Sequence, residues 1–183
     1  MLRFCILIAL CVTPLLTVNA TTIQALNIEQ RTTRSDRIVV ASVASVHYQK
    51  AANANRIYTI TTLKVIEPIK GTVQKDMHLV VRQIGGQIGE WSQFVPGDAR
   101  FEVGQEVVVF LRHDQKDDLH FLVGMAQGKI DINLDADQVG APPKPKTRSA
   151  VFKAQSHSAP DVTPPSLSEL IERIRLAAVS HTP

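Results

Sequence analysis

RIVVASVASVHYQKAANANRIYTITTLKVIEP, residues 37–68, is the stretch that decides the fold of this chain. It contains two apolar runs separated by the polar break AANAN at residues 51–55. The second run alternates with a period of two, and one of its faces collects Ile57, Thr59, Thr61, Leu63 and Val65. β-Branched residues at this period are typical of β-strands, because successive side chains point to opposite faces of a sheet. The stretch therefore predicts two consecutive strands.

Further strand-like runs follow at short spacing. They are MHLVVRQ (77–83), EVVVFLR (106–112), LHFLVGM (119–125) and GKIDINL (128–134). No segment between them has the length and the 3.6-residue period of a crossover helix. Five or six strands without crossover helices predict an all-β domain, either a small antiparallel barrel or a sandwich.

Residues 1–20 have the pattern of a secretory signal peptide. Arg3 supplies the positive charge, an apolar run extends from Phe4 to Leu16, and the small residues Val18 and Ala20 mark a cleavage site. The apolar run is shorter than the roughly 20 residues that cross a bilayer as a helix. We therefore expect cleavage near Ala20, a mature chain without a transmembrane segment, and a secreted or periplasmic location.

Cysteine usage and charge exclude several classes of function. Both cysteines, Cys5 and Cys11, lie inside the predicted signal peptide, so the mature chain is expected to have no disulfide, thiol nucleophile or zinc–thiolate site. The formal net charge is only +3, and the lysines and arginines form no basic stripe. Since such a stripe is the usual mark of nucleic-acid binding, we expect no nucleic-acid partner.

Composition divides the mature chain into three parts. Residues 21–139 form the predicted β-barrel domain, and Asn27 and Gln30 have the spacing of a helix-capping box in its entry segment. Residues 140–165 are rich in proline, which favours an extended linker. Residues 166–180 are predicted to form an amphipathic helix.

This C-terminal helix is predicted from a cap and an apolar stripe. Ser166 and Glu169 have capping-box spacing, and the stripe consists of Leu167, Leu170, Ile171, Ile174 and Leu176. The helix either docks on the barrel or contacts a partner, and ordinary amphipathicity favours docking.

The connection between the third and fourth strands, residues 84–101, is much longer than the usual about 4–6 residues. Long ordered loops often carry function. We take as candidate binding residues its glycines, aromatic residues and proline: Gly85, Gly86, Gly89, Trp91, Phe94, Pro96 and Gly97. The Gly85–Gly86 pair either presents amides to an anion or permits turns and close approach, and the second interpretation is favoured. Trp91 is either a binding anchor or a plug for the open end of the barrel.

Candidate metal-binding and catalytic residues are few. His113 and His120 bracket a turn that contains Asp114, Asp117 and Asp118, but their spacing matches no standard metal site. Alternating acids from Asp131 to Asp137 resemble a calcium loop, but Ala136 and Pro142 occupy the positions where such a loop needs glycine and glutamate. We expect no catalytic residue, no metal and no cofactor.

Five strings in a fixed order carry a resemblance to known families. They are SDRIVVASVASV (35–46), YTITTLKVIEPIKG (58–71), GGQIG (85–89), VPGDARFEVGQEVVVFL (95–111) and VGMAQGKIDI (123–132). Over about residues 35–132 they resemble a group of uncharacterised secreted bacterial proteins, with departures at Ala41, where the group commonly has glycine, and at Gln105. More distantly, the layout is similar to netrin/TIMP-type modules, which implies an OB-like barrel. The mechanism of the animal inhibitors is not implied, because it uses an amino-terminal cysteine.

Three functions remain open at this point. The first is an exported, non-catalytic module that binds a protein or glycan of the cell envelope through the loop between Ile84 and Phe101. The second is an inhibitor or accessory of a secreted peptidase, which only the netrin/TIMP-type resemblance suggests. The third is a metal-dependent hydrolase that uses His113, His120 and the neighbouring aspartates. Oligomeric state does not follow from the sequence.

Overall fold

The computed structural model describes residues 24–52, 55–133, 138–139 and 166–180. The predicted signal peptide at residues 1–20 and the predicted proline-rich linker at 140–165 lie outside these ranges. No helix in the described ranges is both long enough and apolar enough to cross a membrane.

The described part of the chain is mostly β, with a helix before the sheet and another at the C-terminal end. The strands are β1 (Arg37–Lys50), β2 (Ile57–Lys70), β3 (His78–Ile84), β4 (Gly86–Ile88), β5 (Trp91–Gln93), β6 (Glu106–Asp114), β7 (Leu119–Leu122), β8 (Lys129–Asn133) and β9 (Gln138–Val139). The helices are α1 (Ile28–Arg34) and α2 (Leu167–Val179), and Met125–Gly128 forms a 3-10 turn. The predicted five or six strands correspond to β1, β2, β3, β6, β7 and β8, so the sequence assigned the main sheet correctly.

The strand order is β1-β2-β3-β7-β6-β8-β9, and β1 pairs with β6 as well as with β2. Most pairs are antiparallel, as the sequence predicts. The exception is the contact between β3 and β7, which is parallel and consists of the single pair Val81 and His120. A purely antiparallel sheet was therefore a wrong prediction. Parallel pairing joins segments that are distant in sequence, so no hairpin pattern indicates it.

Alternation along β1 separates two hydrophobic clusters. Val39, Ala41 and Val43 lie in an inner cluster with residues of β2, β3 and β6. Ile38 and Val40 point the other way and pack with Phe110 in an outer cluster under the two helices. Because both faces of this half of β1 are covered, its sequence is nearly continuously apolar.

Helix α1 begins with the predicted capping box. The Asn27 side chain accepts a hydrogen bond from the Gln30 backbone N–H at 2.7 Å, and the Gln30 side chain accepts one from the Asn27 backbone N–H at 3.1 Å. These bonds satisfy amides that the first turn of a helix leaves unpaired.

Helix α2 docks on the sheet, which was the favoured interpretation of its sequence. Leu170, Ile171 and Ile174 are buried in the outer cluster, and the Arg173 guanidinium lies 2.8 Å from the Glu29 carboxylate of α1. Ser166 caps the helix by accepting a hydrogen bond from the Glu169 backbone N–H at 3.3 Å. One predicted stripe residue was wrong. Leu176 is 70% exposed because it lies two positions after Ile174, whereas Ala177 at the third position is buried.

Strand β2 contains a proline near its end. Pro68 pairs with Val39 inside the strand. The register shifts between Ile38 and Val39, and such irregular positions tolerate proline within a sheet.

Candidate functional site

The long connection after β3 contains a small hairpin of its own. Strands β4 and β5 pair as Gly86–Gln93, Gln87–Ser92 and Ile88–Trp91, with Gly89 and Glu90 in the turn. Gly89 has φ of +57°, a conformation that glycine adopts at little cost in a tight turn. The segment predicted as an inserted loop is therefore partly a two-stranded sheet.

Three hydrogen bonds attach this hairpin and the preceding Gly85 to the first residues of β2. The Gly85 N–H donates to the Ile57 carbonyl at 2.7 Å, and the Thr59 hydroxyl donates to the Gly85 carbonyl at 2.8 Å. The Ile57 N–H donates to the Gln93 side-chain oxygen at 2.9 Å. The Gly85 amide is thus committed to the fold rather than offered to an anion.

Gly86 permits a close contact between the hairpin and β1. A Cβ at Gly86 would lie 2.5 Å from Cδ1 of the Tyr48 ring, and the residue has φ of +134°. Both facts require glycine at this position. The interpretation of the glycine pair as a means of close approach agrees with this geometry.

Aromatic side chains are exposed around the hairpin. Trp91 is 69% exposed, Phe94 is 68% exposed and Tyr48 is 52% exposed. Trp91 therefore does not plug the end of the sheet. Lys50 Nζ lies 6.0 Å from the centroid of the Trp91 ring, and the Arg100 guanidinium lies 5.7 Å from that of Phe94. At these distances the cations attract the ring faces.

Beside the hairpin lies a cavity of about 420 Å³, here called the hairpin groove. Its apolar lining is Val46, Tyr48, Ile84, Phe94, Val95, Ala99 and Phe101, and its polar lining is Thr59, Gln83, Gln87, Ser92, Gln93, Asp98, Arg100 and Glu102. The volume falls within the roughly 300–1,000 Å³ of small-ligand sites.

One wall of the groove is fixed by the Gln83 side chain. Its amide nitrogen donates to the Asp98 carboxylate at 2.8 Å and to the Ala99 carbonyl at 2.8 Å. The Ala99 N–H donates to the same Asp98 oxygen at 2.8 Å. Because Gln83 is buried in β3, these bonds hold the segment around residues 98–99 against the sheet.

The seven residues predicted from sequence are only partly brought together. Gly85, Gly86 and Phe94 line the hairpin groove, whereas Gly89 and Trp91 lie on the hairpin outside its lining. Pro96 and Gly97 lie between the lining residues Val95 and Asp98 without lining the groove themselves, and the Gly97 carbonyl accepts a hydrogen bond from the Ala126 N–H at 3.1 Å.

Sequence reasoning missed several lining residues, some within the predicted loop and some on other segments. They include Tyr48, Gln83, Asp98, Arg100 and Glu102. Tyr48 lies on a strand far from the loop, and the others are ordinary polar residues. No local pattern distinguishes them.

The His113–His120 pair forms a separate cluster at the β6–β7 hairpin. The two rings stack with their centroids 4.8 Å apart. His120 is 1% exposed, and its Nδ1 lies 3.1 Å from the Val80 carbonyl, so this nitrogen carries the proton. Its Nε2 then accepts a hydrogen bond from the Arg37 guanidinium at 2.7 Å. Burial lowers the pKa of His120, and the positive charge of Arg37 acts in the same direction.

These contacts describe a neutral, structural histidine. The lone pair that a metal or a proton would use points at a guanidinium. His113 is paired separately, with its Nε2 2.7 Å from the Asp118 carboxylate, and this hydrogen bond lowers the pKa of Asp118. Asp114 accepts a hydrogen bond from the Lys116 N–H within its own turn.

Metal binding was not expected, and nothing in the described ranges assembles three or more metal-ligating side chains. Asp131 lies 2.6 Å from Lys129 Nζ and accepts a hydrogen bond from Gln105 at 2.8 Å. Asp135 and Asp137, the remaining acids of the calcium-like alternation, lie outside the described residues.

Comparison with known proteins adds no functional assignment. No protein-family model matches the chain, and no curated protein sequence matches it.

Proposed function

We propose that this chain is an exported, non-catalytic binding module with an OB-like barrel, and that its hairpin groove, together with the exposed Trp91 on the adjoining hairpin, binds a glycan of the cell envelope. A protein ligand is the other class that the sequence left open, and the experiment below separates the two. Export and membership of the secreted bacterial group stay predictions from the sequence.

The strand pairings support the barrel. Each of β1, β2, β3, β7 and β6 pairs with two of the others, and the series returns from β6 to β1. A five-membered ring of this kind, with one parallel contact between β3 and β7, is the connectivity expected of a small, partly open barrel.

The exposed rings carry the proposal of a glycan. Trp91, Phe94 and Tyr48 present flat apolar surfaces to solvent at one end of the molecule. A pyranose ring has an apolar face of C–H groups that packs against such a surface, and its hydroxyls need hydrogen-bonding partners at the edge. Rigid aromatic side chains supply contact area at low entropic cost.

The polar lining of the groove supplies those partners. Gln87, Ser92 and Gln93 offer neutral donors and acceptors, and the charged lining residues are Asp98, Arg100 and Glu102. Two carboxylates beside one guanidinium give no attraction for an anion. A neutral, hydroxylated ligand therefore fits this groove better than an anionic one.

The non-catalytic part of the proposal rests on the histidine pair. Both ring nitrogens of His120 are hydrogen-bonded within the fold, and Arg37 opposes its protonation. A general base needs a free lone pair within reach of a substrate proton. The hydrolase hypothesis is not favoured by this geometry, and the peptidase-inhibitor hypothesis stays a prediction.

Trp91 makes the test direct because it is the only tryptophan of the sequence. Short oligomers of glucose and of N-acetylglucosamine, and soluble cell-wall glycan fragments, are titrated while Trp91 emission is recorded. We expect one class of glycan to shift the emission to shorter wavelength in a saturable way, since stacking removes water from the ring.

Variants distinguish the groove from nonspecific binding. By calorimetry, Trp91→Ala and Phe94→Ala are expected to weaken binding about tenfold or more each, as for buried aromatic anchors. The control Leu176→Ala changes an equally exposed side chain on α2 and should bind as the unchanged chain does. If no glycan binds while a protein from envelope extract cross-links to the hairpin, the ligand is a protein and the glycan proposal is wrong.

A further inference from the structure

A second cavity, about 620 Å³ in volume, lies on another part of the surface and shares no lining residue with the hairpin groove. Its lining is Leu26, Arg34, Asp36, Arg112, Phe121, Leu122, Val123 and Gly124, and it is called the arginine cavity below. Nothing in the proposed glycan binding uses it.

The floor of the arginine cavity is apolar and fixed. Leu26 contributes to it from the chain before α1, and Phe121 and Val123 contribute from the end of β7. The Leu26 N–H donates to the Gln127 side chain at 2.6 Å, which holds the chain before α1 against the 3-10 turn. A Cβ at Gly124 would lie 2.8 Å from Leu26 Cδ1, so glycine keeps this contact close.

Two guanidinium groups line the same cavity. Arg34 comes from the last turn of α1 and Arg112 from β6, and both are exposed. Among the described residues neither forms an ion pair or a side-chain hydrogen bond. The lining contains one carboxylate, Asp36, and one of its oxygens already accepts a hydrogen bond from the His113 N–H at 2.9 Å. The lining therefore has an excess of positive charge.

A third guanidinium is held at the edge of the arginine cavity. The Arg82 guanidinium carbon lies 5.3 Å from the centroid of the Tyr58 ring and 5.1 Å from that of Phe121, which itself lines the cavity. Its fork of N–H donors is thus pre-positioned between two rings, so that less side-chain entropy is lost when it binds an oxyanion.

The pairing of neighbouring strands places Arg82, Phe121 and Arg112 side by side. Phe121 of β7 lies directly opposite Arg112 of β6, and Arg82 follows Val81, which pairs with the residue before Phe121. Arg82, Phe121 and Arg112 therefore follow one another across three neighbouring strands on the face opposite to the inner cluster.

We propose that the arginine cavity is a binding site for a small amphipathic anion, a molecule that joins a carboxylate or phosphate group to an apolar body. The oxyanion is held by Arg112 and Arg34, with Arg82 beside them, and the apolar body lies on Leu26, Phe121 and Val123. Arginine pairs with both oxyanions through two parallel N–H···O bonds, which explains why the ligand class includes both. Ligand sites of this size typically have an apolar lining and a few polar groups that fix orientation.

The test uses octanoate and octyl phosphate as probes, with octanol and inorganic phosphate as matched partial ligands. Binding to the full mature chain is measured by calorimetry. We expect at least one of the two amphipathic anions to bind at least tenfold more tightly than octanol and than inorganic phosphate. Whichever of the two binds more tightly identifies the oxyanion.

Arginine variants then locate the site. Arg112→Gln and Arg34→Gln are each expected to lower affinity about tenfold or more, because each removes a charge-assisted hydrogen bond. Arg112→Lys keeps the positive charge but loses the paired N–H donors of the guanidinium. Its affinity should therefore lie between that of the unchanged chain and that of Arg112→Gln. Arg56→Gln is the control, since Arg56 is exposed and lines neither cavity. Thermal unfolding verifies that each variant is folded.

The proposal is overturned if neither anion binds, if octanol binds as tightly, or if inorganic phosphate alone binds as tightly. It is also overturned if the Arg34→Gln/Arg112→Gln double variant binds unchanged. Trp91 emission should not respond to either anion, and a response would place the ligand at the β4–β5 hairpin instead.

Discussion

Strand β1 passes through two regions that differ in what covers it. In the helix-covered region, Ile38 and Val40 are buried under α1 and α2 while Val39 and Ala41 face the inner cluster. At the hairpin end, Tyr48 of the same strand is half-exposed and packs on Gly86. The first region has apolar contacts on both faces of the sheet, whereas the second region has few apolar contacts. Stability therefore concentrates in the first region, while the second exposes aromatic side chains to solvent, as the proposed glycan binding requires.

Two phenylalanines offer the largest test of this difference. Phe110 is fully buried in the helix-covered region, and Phe94 is 68% exposed at the hairpin end. Phe110→Ala is expected to lower the free energy of unfolding by about 3–5 kcal/mol, because it leaves a cavity in a packed cluster. Phe94→Ala should change it by no more than about 0.5 kcal/mol. Urea denaturation measures both, and equal losses would contradict the division into two regions.

Two glycines of the hairpin end provide a test of intermediate size. Gly86→Ala combines positive φ with a clash against the Tyr48 ring, so we expect a loss of about 1–3 kcal/mol or a displacement of Tyr48 with altered Trp91 emission. Gly89→Ala is the matched control. It also has positive φ, but a Cβ there meets nothing within 4 Å, so only the backbone cost of about 1 kcal/mol remains. Identical behaviour of the two variants would mean that the contact with Tyr48 does not position the hairpin.

The last prediction is a pH dependence of the free energy of unfolding, caused by His120 of the β6–β7 hairpin. Burial lowers the pKa of His120 in the folded state below the 6.5 of a free side chain. As the pH falls below that unfolded value, the unfolded chain takes up a proton that the folded chain does not, so the free energy of unfolding decreases. The slope that one proton contributes is at most about 1.4 kcal/mol per pH unit.

His120→Gln should remove this slope between pH 7 and 5, since an amide can keep one acceptor towards Arg37 and one donor towards Val80. His47→Gln serves as the comparison, because it removes an exposed histidine of β1 and leaves the contacts of His120 with Arg37, Val80 and His113 in place. A slope that persists in His120→Gln would show that another group causes it. Denaturant unfolding at each pH gives the measurement.

The sequence predicted the helix-covered region well because its signals are local. Alternation in β1 and β2 and the cap at Asn27 each depend on residues within a few positions of one another. The assignment of Leu176 to the buried face was wrong, and the local pattern explains why. Leu176 lies two residues after the buried Ile174, and two residues turn a helix by about 200°.

The hairpin end could not be predicted to the same extent. Strands β4 and β5 have three residues each, too few for a period to be recognised. Their position depends on Tyr48 and Ile57, which lie on other strands. The arginine cavity likewise joins α1, β6 and β7, so Arg34 and Arg112 carry no shared sequence signal.

The ion pair between Arg173 and Glu29 has a geometric consequence. Together with the buried apolar contacts beneath it, this ion pair joins the first and last helices of the described chain over Ile38 and Val40, while Tyr48 meets the hairpin about 26 Å further along β1. A tether attached at either helix, whether a surface, a resin or a fused protein, would therefore hold the molecule by the same side. The hairpin would then lie at the end away from the tether, which is the orientation that the proposed glycan binding requires.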